Sequence, residues 1–94
     1  MEEPTEVQIK ELWEWCGAPY RTEMDGWDNL GYPELDLNNL FRYAEFKAVI
    51  DSGIRLNISI DEARRQLFEH WLSNMEKRFD RANALFWAIW EVNR

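Results

Sequence analysis

One histidine, one cysteine and eighteen carboxylates are the side chains of this 94-residue sequence with the plainest claim to chemistry. On a predicted helix, His70 has Gln66 and Asn74 one turn away on either side, so no second strong metal ligand repeats beside it. Next to Glu69 it reads as a surface histidine and not as a general base. Cys16 falls on the apolar stripe of a different predicted helix, where a thiol behaves as a small hydrophobe. The glycines, Gly17, Gly26, Gly31 and Gly53, sit at turn or cap positions and build no phosphate-cradling loop. Asp25, Asp28 and Glu34 lack the spacing of a calcium loop. Among so many carboxylates some pairs must meet, and without an apolar pocket to shift a pKa they carry no catalytic information. The expectation is a protein that is not an enzyme, with no catalytic, cofactor-binding or metal-binding residue.

Binding is the better-supported class, on two independent features. The first 36 residues carry ten acidic and two basic side chains, whereas the remaining 58 carry eight and nine. The net charge of -7 therefore resides in the N-terminal third, which favours a basic partner surface and disfavours direct contact with nucleic acid. The second feature is an excess of indoles: Trp13, Trp15, Trp27, Trp71, Trp87 and Trp90 in a chain that buries only roughly 60–65% of its unfolded surface. Aromatic anchors inside a charged rim are what an interaction hot spot needs. The expected partner-binding residues are Glu11, Glu14, Trp15, Asp25, Trp27, Asp28 and Trp87, facing a protein with a basic surface. A competing face of Arg64, Arg65, Lys77, Arg78 and Arg81 would suit nucleic acid, but Glu62, Glu69, Glu76 and Asp80 interleave with it. A solvated, salt-bridged helix face is the commoner use of that pattern. A third alternative is a self-associating assembly protein, a homodimer meeting through Trp87 and a Tyr43–Phe46–Ile50 face.

The elements that position these residues are helical. The length implies a single domain over residues 1–94, mainly α, with about four helices around one core. Thr5-Glu6-Val7-Gln8 fits a capping box, and Ile9, Leu12, Trp13 and Cys16 fall within one arc of about 100°. Gly17 and Pro19 end that helix. Asp36 is the candidate cap of a second, in which Leu37, Leu40, Phe41, Ala44 and Ala48 form one stripe and Tyr43, Phe46 and Ile50 another, with Gly53 closing it. Ser59 opens a third helix whose inward residues are Ile60, Ala63, Leu67, Trp71 and Met75, widened by Phe68 and Leu72. Asp80 opens a fourth, with Ala82, Leu85, Phe86 and Ile89 inward and Trp90 at the border. A small β-element is the one expected departure from helix. Asp25-Gly26 is a hairpin signal within residues 20–30, and Ile54, Leu56, Ile58 and Ile60 alternate with polar residues, so 54–58 is either its partner strand or an extended connector.

Cys16 being alone, no internal disulfide forms, and nothing points to an oxidising compartment. Met1 leads into Glu2, Glu3 and Pro4 where a signal peptide needs basic and apolar residues, and Ala82–Val92 is too short to span a bilayer. A cytoplasmic protein without a membrane partner is expected.

Three segments together carry a resemblance: Trp15-Cys16-Gly17, the run from Leu35 to Ala44, and the run from Ala84 to Val92. They resemble a group of small uncharacterised proteins encoded by bacteriophages and prophages. The resemblance covers a quarter to a third of the chain and rests mostly on apolar helix faces. It implies no activity and no catalytic residue. It implies a setting, a phage-encoded accessory protein in a bacterial cytoplasm, where small acidic proteins occupy basic host surfaces as inhibitors, including surfaces that otherwise hold nucleic acid.

Overall fold

Every helix begins on a side-chain oxygen that accepts an otherwise orphaned backbone N–H. The structure, a computed structural model, describes residues 3–20, 31–77 and 80–93. Helix α1 is Glu6–Cys16. There Thr5 Oγ1 accepts from the Gln8 N–H at 3.2 Å while Gln8 Oε1 accepts from the Thr5 N–H at 2.9 Å, the expected reciprocal box. Helix α2 spans residues 37–56 as an α-turn Leu37–Asn39, a π-helical segment Leu40–Glu45 and an α-helical segment Phe46–Leu56. Asp36 caps it, accepting from the Asn39 N–H at 2.8 Å. Helix α3, Ile60–Glu76, starts on Ser59, and helix α4, Arg81–Val92, on Asp80. Those caps accept from Glu62 and Asn83 at 3.1 and 2.9 Å. The fold is mainly α, and no strand occurs among the described residues.

The core is a wall of small residues filled by a few large ones. Trp13, Leu40, Leu67, Leu85, Phe86, Val49 and Ile89 are fully buried, as are Ala44, Ala48, Ala84 and Ala88. The alanines let α2 and α4 approach closely; the large side chains close the space toward α1 and α3. Packing is most extensive between α3 and α4, and α2 lies across α3. A side cluster at their edge joins Phe41, Phe68 and Trp71, with ring centroids 5.6–6.3 Å apart and edge-on geometry. The Trp71 indole N–H donates to the Arg81 carbonyl at 3.1 Å, tying α3 to the first residue of α4.

The α2–α3 junction corrects two expectations. Gly53 does not close α2, and residues 54–58 are no strand: Ile54 and Leu56 complete the helix, and Asn57 alone takes the left-handed conformation, with φ 55°. The Asn57 N–H donates to the Ile54 carbonyl at 3.2 Å and the Ile58 N–H to the Gly53 carbonyl at 3.0 Å, a Schellman stop. Gly53 serves a different need. A Cβ there would stand 3.3 Å from the Ile58 carbonyl oxygen and 3.7 Å from the Ala63 Cβ, so the missing side chain lets the connector fold back over the helix. Of the alternating apolar residues, Ile54, Leu56 and Ile60 face outward, at 76, 49 and 45% exposed, while Ile58 packs against the core. Ile60 and Leu72, expected inward on α3, are therefore surface residues, Leu72 being 58% exposed. The hairpin expected over residues 20–30 lies outside the described residues except at Tyr20, which is exposed.

Glu45, Ser52 and Asn74 are polar side chains in the core that have no place in the sequence-based expectations. Glu45 lies at four-residue spacing from Val49 and Gly53, hence on the inward side of α2, and is only 8% exposed. Arg64 Nε donates to its Oε1 at 2.9 Å. Asn74 on α3 is 2% exposed and donates through Nδ2 to the Ala84 carbonyl of α4 at 3.1 Å. A buried charge and a buried amide each need such a partner to be tolerated.

Candidate functional site

Glu11 and Trp15 stand one helical turn apart on α1, beside the buried Leu12. Ile89, Trp90 and Asn93 form the matching row at the end of α4. Between the two rows lies a cleft of about 220 Å³, lined by Glu11, Leu12, Trp15, Ile89, Trp90 and Asn93. Its lining combines two core side chains, Leu12 and Ile89, with two indoles, a carboxylate and an amide. Trp90 is held by stacking on Phe86, with centroids 5.6 Å apart and planes at 23°, and Trp87 meets it edge-on at 6.2 Å. Asn93 is fixed by donating through Nδ2 to the Ile89 carbonyl at 2.9 Å.

The Trp15 face already carries a cation. Lys47 Nζ of α2 lies 5.2 Å from the Trp15 ring centroid and 3.2 Å from Asp51 Oδ2. The ring quadrupole attracts positive charge, and a neighbouring carboxylate strengthens that preference. Glu14, the next acid on α1, pairs with Lys10 at 3.8 Å and accepts a long 3.5 Å hydrogen bond from the Tyr32 hydroxyl. Desolvation, and then the Glu14 charge, push the Tyr32 phenol above its ordinary range, so it stays a neutral donor.

Of the residues expected at a partner site, the structure brings Glu11 and Trp15 to this cleft and places Glu14 one turn away on an exposed part of α1. Trp87 is half-buried and packed edge-on to Phe86 at 5.2 Å, so it supports the cleft through Trp90. Asp25, Trp27 and Asp28 lie outside the described residues. Trp90 and Asn93 were missed as site residues. Trp90's place at the border of the α4 stripe was the signal that could have found it.

The alternative basic face is dispersed and largely engaged. Arg64 is committed to buried Glu45, and Arg65 bridges Glu62 and Glu69. The hydrogen bond from Arg65 holds the Glu62 carboxyl below its ordinary range. Lys77 ends α3, about 20 Å along the helix from Arg64 at 1.5 Å per residue. Arg81 starts α4, and Arg78 lies outside the described residues.

His70 Nδ1 is 3.9 Å from Glu91 Oε2 on an exposed surface, too far for a hydrogen bond. Among the described residues no three His, Cys, Asp or Glu side chains gather as a metal site, and no helix is long and apolar enough to cross a membrane. Burial pushes the Cys16 thiol up, outweighing backbone hydrogen bonds and the Lys47 charge that pull it down. The thiolate is the reactive form, so Cys16 should alkylate more slowly at pH 8 in the folded protein than in denaturant. Equal iodoacetamide rates in the two states would place Cys16 outside the packed stripe.

Compared with known protein families, curated proteins and solved structures, the chain shows no match.

Proposed function

We propose that this chain is a non-enzymatic protein-binding module, and that the α1–α4 cleft takes a lysine or arginine side chain projecting from a basic partner surface. The observation that carries the reading is the pair of indoles, Trp15 and Trp90, that line the cleft with Glu11, the α1 side of which belongs to the acidic third of the chain. A cation entering there meets indole and carboxylate groups of the lining, while Leu12 and Ile89 suit the aliphatic stem. The surrounding acids steer a basic surface toward the cleft, and the indoles supply the short-range contact. The lysine already over the Trp15 ring supports this preference from within the molecule. In its sharper form the proposal is a phage-encoded accessory protein acting in the bacterial cytoplasm. There it would cover a basic host surface as an inhibitor, the setting implied by the segments at residues 15–17, 35–44 and 84–92.

The test is calorimetric titration with a lysine- and arginine-rich peptide, with a glutamate-rich peptide as control. The basic peptide should bind, weaken as salt rises, and lose at least about tenfold in affinity on Trp15→Ala, the scale of a modest hot spot. Equal affinity of wild type and Trp15→Ala would remove the cleft from the binding surface. Sub-micromolar duplex DNA binding in a gel shift at physiological salt would favour the Arg64, Arg65, Lys77, Arg78 and Arg81 alternative instead.

A further inference from the structure

Phe46, Ile50 and Ile54 repeat every four residues along α2 and form a row in which Ile50 is half-buried and its two neighbours are exposed. Phe46 is 60% and Ile54 76% exposed, while Tyr43, expected on the same face, turns inward to meet the buried Trp13 edge-on at 6.4 Å. At 100° per residue, Phe46 and Gly53 border one edge of this row and Lys47 and Asp51 the other. The first edge is hollow beyond its midpoint. A depression of about 410 Å³ is lined by Ile50, Gly53, Ile54, Asn57, Ile58 and Ile60, where the connector folds back over the helix. Four residues before Ile50 the face carries a protruding phenyl ring, and from three residues after it an apolar hollow.

We propose that this face pairs with a second copy of the chain, the two α2 helices running antiparallel about a two-fold axis at Ile50. In such a pairing like edges meet, and residues equidistant from the axis stand opposite each other. Phe46 of each copy then faces Ile54 of the other and fills the hollow beside Gly53. The opposite edge is self-complementary in charge. Lys47 and Asp51, now 3.2 Å apart within one chain, are centred on residue 49, within one helical rise of about 1.5 Å from the axis. Lys47 of each copy therefore meets Asp51 of the other, and two ion pairs flank the apolar row. Charges of one sign along that edge would repel across the axis, so this arrangement singles out the chain itself as occupant. The surface adjoins the α1–α4 cleft at Lys47, which also lies over the Trp15 ring, and Trp87 takes no part in it.

The experiment is sedimentation equilibrium on the full chain over a concentration series. The wild type should move from 11.4 kDa toward twice that mass as concentration rises. Phe46→Glu should weaken the dimer at least about tenfold with helical content unchanged, since the side chain it alters is exposed. Lys47→Asp should weaken it as well, and the double exchange Lys47→Asp with Asp51→Lys should restore it. In a Cys16→Ser background, Ile50→Cys should crosslink to its own copy on mild oxidation. A wild type that stays at 11.4 kDa up to millimolar concentration would overturn the proposal. So would a dimer indifferent to Phe46→Glu, or one in which position 50 does not crosslink.

Discussion

Replacing Phe86 by alanine should unfold the protein at physiological temperature or leave it barely stable. Phe86 is fully buried, stacks on Trp90 and meets Trp87 edge-on, so its ring joins the core wall to the cleft. Truncating a buried phenylalanine costs about 3–5 kcal/mol, against a total of about 5–15 for a whole domain. In a chain this small, stability belongs to the lower part of that range. The neighbours offer little relief, because Ala84 and Ala88 are too small to collapse into the space. Thermal unfolding followed by circular dichroism checks this. An unchanged melting temperature would remove α4 from the core.

Two adjacent arginines should differ sharply when each is replaced by alanine. Arg65 is exposed and bridges Glu62 and Glu69, which are themselves partly or largely in water; its loss should leave the melting temperature nearly unchanged. Arg64 pairs with Glu45, whose side chain is 10% exposed, and its loss strands a carboxylate in the core. A hydrogen bond to a charged group is worth about 1.5–3 kcal/mol, and Arg64 is open enough to solvent to keep the cost within that range. For a domain of this size that is a fall in melting temperature of about 6–20 °C. A double-mutant cycle with Glu45→Gln should attribute most of the Arg64 effect to the pair. Equal small losses from both arginine variants would mean that Glu45 is hydrated.

The residues that reveal the fold from sequence are those whose influence is local. Thr5, Asp36, Ser59 and Asp80 cap the four helices as their positions imply, and Gly17 stops α1 with the left-handed turn its type favours. Trp13, Leu67 and Ile89 fall on stripes that point to the core without reference to any neighbour. Where a residue's role depends on a distant segment, the pattern misleads. Gly53 resembles a helix stop, yet it is needed because Ile58 passes close above it. Ile54, Leu56 and Ile60 alternate like a strand, yet they are outward residues on either side of a Schellman turn. Glu45 and Asn74 look like surface residues and are buried, because Arg64 and the Ala84 carbonyl reach them from another helix. The cleft was half legible for the same reason. Glu11 and Trp15 stand out within α1, whereas Trp90 and Asn93 join them only because α1 and α4 both pack on α2.

The most direct measurement of the cleft's role is the set of indole N–H resonances during titration with a lysine-rich peptide. Trp15 and Trp90 line the cleft, while Trp13 is fully buried beneath it, so one spectrum holds both the reporters and their internal control. Binding at the α1–α4 cleft should shift the Trp15 and Trp90 signals in step with saturation and leave that of Trp13 in place. A saturating titration in which neither Trp15 nor Trp90 moves would contradict the assignment of this cleft as the basic-side-chain site.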